Sequence, residues 1–162
     1  MSRRGEAATP YLFMNIGRKS LPHSGAPGDP LNSEYEVYFI TICCKPRTIN
    51  QLAHAEVWDA LLETMHRREE AGSLRIKVAL AMPDHFHGML GFPGTDPMTS
   101  VIGSIKSWMA KQHRISWQRD FFDHRLRSWE SAVEKTQYVL MNPVRVGLVN
   151  EAEDWPFRYQ NW

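Results

Sequence analysis

The chain has 162 residues, 43% of them hydrophobic, and a formal net charge of +1. That length predicts one domain that buries roughly two-thirds of its unfolded surface without staples. No apolar run approaches the roughly 20 residues of a membrane span, and the near-neutral charge argues against a broad electrostatic polyanion binder. There is no N-terminal apolar block ahead of a small-residue cleavage site. The only cysteines, Cys43 and Cys44, are adjacent and face opposite sides of an expected strand, so a reducing cytoplasm is expected.

Residues 1–33 are expected to form a flexible tail, because the run from Pro22 to Pro30 has too little apolar surface to offset its ordering entropy. A short strand around Tyr11–Met14 is the one element it could hold. From Glu34 to Cys44 apolar, β-forming residues occupy both alternating sets, which predicts a central strand. Val57, Trp58, Leu61, Leu62 and Met65 then follow a helical period that Gly72 should stop. Leu74 to Met82 reads as a strand with Leu74, Ile76, Val78 and Leu80 on one face. A turn at Pro83-Asp84 leads into a returning strand from His85 to Phe92.

A second helix should start with Asp96 as N-cap and Pro97 at its first position. Its expected apolar stripe is Val101, Ile105, Trp108, Gln112 and Ile115, widened by Ile102 and Met109, with Trp108 in the core. A short strand near Asp120–Arg125 comes next, then a third helix from Trp129 to Met141, ended by Asn142-Pro143. This order predicts an α+β fold of the ferredoxin-like (split βαβ) kind: an antiparallel sheet with helices on one face, plus a C-terminal helix carrying Tyr138.

Two features carry chemistry. His85-Phe86-His87 on a strand projects both imidazoles to one face and Phe86 to the core, and paired imidazoles form half of a divalent-metal site. Alone, the tripeptide is a weak motif that also reads as two ordinary surface histidines. Tyr138 and Asn142, one helical turn apart, share a face, although a helical tyrosine is usually half-buried core and Asn before Pro is a common helix terminator. Together they suggest a metal ion polarising a phosphodiester while a tyrosine oxygen attacks phosphorus. Between Val101 and Ser128, six basic residues face two acids, a local basic stretch of the kind a polyanion needs.

Met82 to Leu90, with its His85-Phe86-His87 core, resembles the histidine–hydrophobic–histidine signature of single-tyrosine HUH transposases. Tyr138 to Val149 resembles the tyrosine-helix signature of their REP-associated branch, and Trp117 to Arg125 is similar to that branch's aromatic strand. Trp155 to Arg158 resembles its closing segment, with Arg158 and Tyr159 where serines are usual. The resemblance spans residues 34–162 and identifies that stretch as a single-tyrosine HUH transposase domain. It implies an enzyme that cleaves and rejoins single-stranded DNA at hairpin-forming repeats through a covalent 5′-phosphotyrosine.

By position, Tyr138 would be the nucleophile, and His85, His87 and Asn142 would bind Mg²⁺ or Mn²⁺, with Glu134 as an alternative third ligand. Lys106, Lys111, Arg114 and Arg119 are the candidate DNA contacts, and Trp117 a candidate base-stacking residue. A monomer is favoured over a homodimer. Three other readings stay open: a catalytically silent DNA-hairpin binder, a metal-dependent phosphoesterase using water, and a small-ligand or partner-binding domain with incidental histidines.

Overall fold

Alternating apolar residues on both faces make β1 (Tyr35–Cys43) a central strand, and it pairs antiparallel with β3 (His85–Pro93), from Tyr35 opposite Pro93 to Cys43 opposite His85. The computed structural model describes residues 34–94 and 97–161. The expected tail at 1–33, its strand around Tyr11–Met14 and the Asp96 cap lie outside the described residues. Helix α1 (Ala55–Glu70) carries the chain over the sheet to β2 (Arg75–Ala81), on the far side of β3. Helix α2 (Met98–His113) returns it to β4 (Phe122–Arg125), beside β1. Helices α3 (Trp129–Leu140) and α4 (Asn142–Arg145), a short 3₁₀ turn at Ala152–Asp154 and β5 (Arg158–Gln160) complete the order. The sheet runs β4-β1-β3-β2-β5 with every neighbouring pair antiparallel, so β3 separates β1 from β2. The class is α+β.

Each face of the sheet has its own core. On one, Ile40, Ile42, Phe86, Leu90 and Phe92 meet Trp58, Leu61 and Met65 of α1 and Val101, Ile102, Ile105 and Met109 of α2. On the other, Val37, Phe39, Val78, Leu80 and Met89 are covered by Ala132 and Val139 of α3, with Leu126 and Trp155. Full burial of side chains such as Phe86 or Leu90 contributes about 1.5–3 kcal/mol each, which makes both helix layers integral to the fold.

Several expectations need correction. Leu74, Ile76, Val78 and Leu80 do not share a face. A bulge between Ile76 and Val78 shifts the phase, so Leu74 and Ile76 pack under α1 and α2 while Val78 and Leu80 pack under α3. Pro97 is the N-cap of α2 rather than its first residue, with extended backbone (φ −62, ψ 123). The stripe on α2 is narrower than expected: Trp108 is 40% exposed, Gln112 is exposed, and Ile115 lies past Arg114, whose positive φ of 56 ends the helix. Asn142-Pro143 does not end the helical path, because Met141 keeps a right-handed helical backbone and α4 resumes at once. β5 is not among the predicted elements. It docks because Ala81 N–H donates to the Phe157 carbonyl and Trp155 Nε1 to the Ala81 carbonyl, both at 2.9 Å. Gly72 does stop α1, at a positive φ of 76, and Cys43 and Cys44 stand outside any disulfide. Among the described residues no helix is long and apolar enough to cross a membrane.

Candidate active site

The alternation of β3 places Phe86 in the α1/α2 core and sends His85 and His87 to the opposite face, under α3. Their ring centroids are 4.7 Å apart. Each ring is oriented through Nδ1. Thr41, directly across β1 from His87, holds His87 Nδ1 at 2.9 Å, and both residues are buried. Asp84 Oδ1 lies 2.7 Å from His85 Nδ1, with an Arg47 amine at 3.3 Å from the same nitrogen. Arginine only donates, so the shorter contact assigns Nδ1–H of His85 to the carboxylate. The Arg47 guanidinium also braces Asp84, 2.7 Å from its Oδ2.

The charges follow from these contacts. Burial alone would raise the Asp84 carboxyl, but hydrogen bonds and charge from His85 and Arg47 outweigh it and hold it at about 2. Burial, then the neighbouring His85 and Arg47, push His87 well below the ordinary imidazole value, so its ring is neutral near pH 7. With Nδ1–H donated to the Thr41 hydroxyl, a neutral His87 presents its Nε2 lone pair, the arrangement found at metal-ligating histidines. The two histidines therefore fit a divalent ion. Among the described residues no group of three His, Cys, Asp or Glu forms a ready-made site. Glu134, the alternative third ligand, is exposed on α3. Asn142 is buried, and its amide nitrogen donates to the Tyr138 carbonyl at 3.2 Å, which leaves the amide oxygen as its acceptor.

Tyr138 meets His87 within one chain. Its ring centroid is 6.3 Å from that of His87 and 6.4 Å from Phe39, which itself stacks on His87 at 5.6 Å. Helix α3 reaches this position because Ser128 caps it, its Oγ accepting from Ser131 N–H, and because Ala132, Thr136 and Val139 anchor it to the sheet. The helical course then continues through Met141 into α4. Lys135, Tyr138, Asn142 and Arg145, spaced by three, four and three residues, thus form one stripe. Arg145 lies 4.7 Å from the Tyr138 ring centroid, and Lys135 Nζ lies 5.8 Å from it and 5.5 Å from the Phe39 ring.

The four expected DNA contacts stand elsewhere. Lys106 and Lys111 ride on α2, across the sheet from the imidazoles; Arg114 follows the helix and Arg119 lies in the connection to β4. Lys106 is committed to that connection, donating to the carbonyls of Gln118 and Arg119 at 2.9 Å each. Trp117 is half-buried against the α1/α2 core and donates to the Lys106 carbonyl at 3.0 Å. Among the described residues no hydrogen bond, ion pair or ring contact links those four basic side chains to His85, His87 or Tyr138. Thr41, Arg47, Asp84, Lys135 and Arg145 were not anticipated. Strand pairing could have found Thr41, and adjacency to His85 could have found Asp84. No local pattern marks Arg47.

No family model matches the chain. A REP-associated tyrosine transposase of Escherichia coli (strain K12) is 29% identical over 85 residues, which cover 51% of this chain and 52% of that protein. The match thus spans about half the length of that relative. A Haemophilus influenzae protein carrying the same name provisionally is 28% identical over 141 residues, covering 75% of this chain and 77% of its own. The solved structure of a REP-associated tyrosine transposase bound to a REP hairpin aligns with a TM-score of 0.66 at 22% identity, over 90% of this chain and 82% of that one. By these matches the chain is similar to proteins named REP-associated tyrosine transposases, and it shares the fold of the solved one.

Proposed function

We propose that this chain is a divalent-metal-dependent DNA strand transferase that cleaves and rejoins single-stranded DNA beside hairpins. The observation that carries this reading is the convergence, inside one protomer, of two oriented imidazoles and a helical tyrosine. His85, His87 and the amide oxygen of Asn142 hold Mg²⁺ or Mn²⁺, and the bound ion supplies Lewis-acid polarisation of the scissile phosphodiester. Tyr138 Oη attacks phosphorus, and its O–P bond forms as the bond to the 3′ oxygen breaks. The phenolic proton passes to solvent, and the departing oxygen takes up a proton to leave as a 3′-hydroxyl. The 5′-phosphotyrosine conserves the broken bond, so attack by a free 3′-hydroxyl reverses the step and joins strands.

Because both imidazoles and the phenol belong to one chain, a monomer suffices. Residues 34–162 form the transposase domain. Two cysteines outside any disulfide accord with work in a reducing cytoplasm.

Incubation with labelled hairpin DNA and Mn²⁺ tests the proposal. The expected result is a denaturation-resistant protein–DNA adduct that vanishes with EDTA and in Tyr138→Phe. Cleavage undiminished in Tyr138→Phe would instead identify a phosphoesterase using water, and hairpin binding with no cleavage a silent binder.

A further inference from the structure

Lys135 and Arg145 come from opposite ends of the α3–α4 stripe, yet both bring their charge to the ring of Tyr138, at 5.8 and 4.7 Å from its centroid. Neither forms an ion pair with a carboxylate among the described residues, whereas Arg47, Arg67, Arg125 and Arg158 each do. Lys135 is only partly exposed and also lies over Phe39, so its charge sits in a partly desolvated position between two aromatic rings. Lys135 and the exposed Arg145, both beside a single phenol, make an electropositive slot that an anion would neutralise. A guanidinium presents a fork that matches phosphate oxygens, and an ammonium adds a compact point charge.

We infer that Lys135 and Arg145 form a phosphate clamp, gripping the backbone of the DNA strand presented to Tyr138. This rests on the strand-transferase reading and extends it to two residues outside the proposed metal and nucleophile set. The clamp also explains why the basic residues of α2 need not reach the site. The charge that meets the strand comes from the tyrosine's own helical stripe.

The test uses the full chain carrying Tyr138→Phe, which keeps the ring and prevents cleavage. The probe is a hairpin oligonucleotide with single-stranded extensions on both sides, and a matched probe has neutral methylphosphonates throughout those extensions. Lys135→Met and Arg145→Met, which preserve the apolar stems, should each weaken binding about 4-fold at about 0.15 M salt and lower the salt slope by about 0.7, the value for one single-strand phosphate contact. On the neutral probe both losses should disappear, and Arg145→Lys should keep most of the slope. Arg67→Ala, on the outer side of α1, removes the same charge and should change neither quantity. Equal losses on charged and neutral probes, or losses matched by Arg67→Ala, would overturn the clamp while leaving the strand-transferase reading intact. Failure of the parent protein to bind the charged probe would overturn both.

Discussion

Replacing Thr41 by Val isolates the contact that orients His87. The substitution keeps the branched shape of the side chain on β1, so it opens no appreciable cavity, and it deletes only the hydroxyl 2.9 Å from His87 Nδ1. Thr41 is 3% and His87 4% exposed, so water cannot take the vacated place. Whichever tautomer His87 then adopts, a buried ring nitrogen is left without a partner, at a cost of about 1–3 kcal/mol. For a chain of this size each kcal/mol corresponds to about 2–4 °C, so the melting temperature should drop by about 2–12 °C. In the tautomer that exposes the Nε2 lone pair, the hydroxyl accepts from Nδ1–H, and loss of such a partner weakens metal binding about 10–100-fold. Melting in EDTA and titration of free Mn²⁺ by its paramagnetic resonance signal measure the two effects. An unchanged melting temperature together with unchanged Mn²⁺ affinity refutes the reasoning.

Further outcomes follow from the same geometry. Asp84→Asn keeps the shape but loses the carboxylate shared by His85 and Arg47, so Mn²⁺ affinity measured by the same titration should fall about 10–100-fold while the fold persists. Folded His87 titrates well below 6.5, so below that pH the unfolded chain binds the extra proton. Stability of the metal-free protein should therefore be full above pH 6.5 and decline as pH falls beneath it, which urea midpoints at pH 7.5 and 5.5 will show; equal midpoints count against a buried neutral ring. Asp84 acts in a separate window, its contribution present above its unfolded value near 3.8 and lost as pH falls through about 2. Gly88→Ala would set a Cβ 2.8 Å from Phe86 Cε1 and 3.1 Å from Leu90 Cγ, and overpacking of that kind should cost about 1–3 kcal/mol in chemical denaturation.

What could be read from the chain beforehand depended on whether local periodicity survived folding. β1 was legible because its alternation runs unbroken through nine residues. The phase of β2 was not, since the bulge after Ile76 leaves no mark in the residue pattern. The stripe on α2 was drawn too long because Arg114, with no glycine to announce it, takes the left-handed conformation that ends the helix. Trp108 was assigned to the core by hydrophobicity, yet it reaches the outer side of α2 near Arg67 and Arg68 of α1. In the candidate site, the His85–His87 face and the Tyr138–Asn142 face came directly from strand and helix periods. Arg145 was hidden because Pro143 normally signals an end, whereas here it occupies the first turn of α4, where a missing N–H costs nothing. Thr41 and Arg47 belong to the site only through strand pairing and loop closure, which local patterns do not encode.

The sheet's two rims are brief: β4 contributes four exposed residues, including Asp123, His124 and Arg125, and β5 only three. The long apolar strands β1 and β2 are thus hemmed on each side by a narrow selvage rather than left as open templates for another chain. Unravelling of Arg158–Gln160 would bare the backbone of Val78, Ala79 and Leu80. Wear at this last seam would lead to clumping before any core side chain was lost.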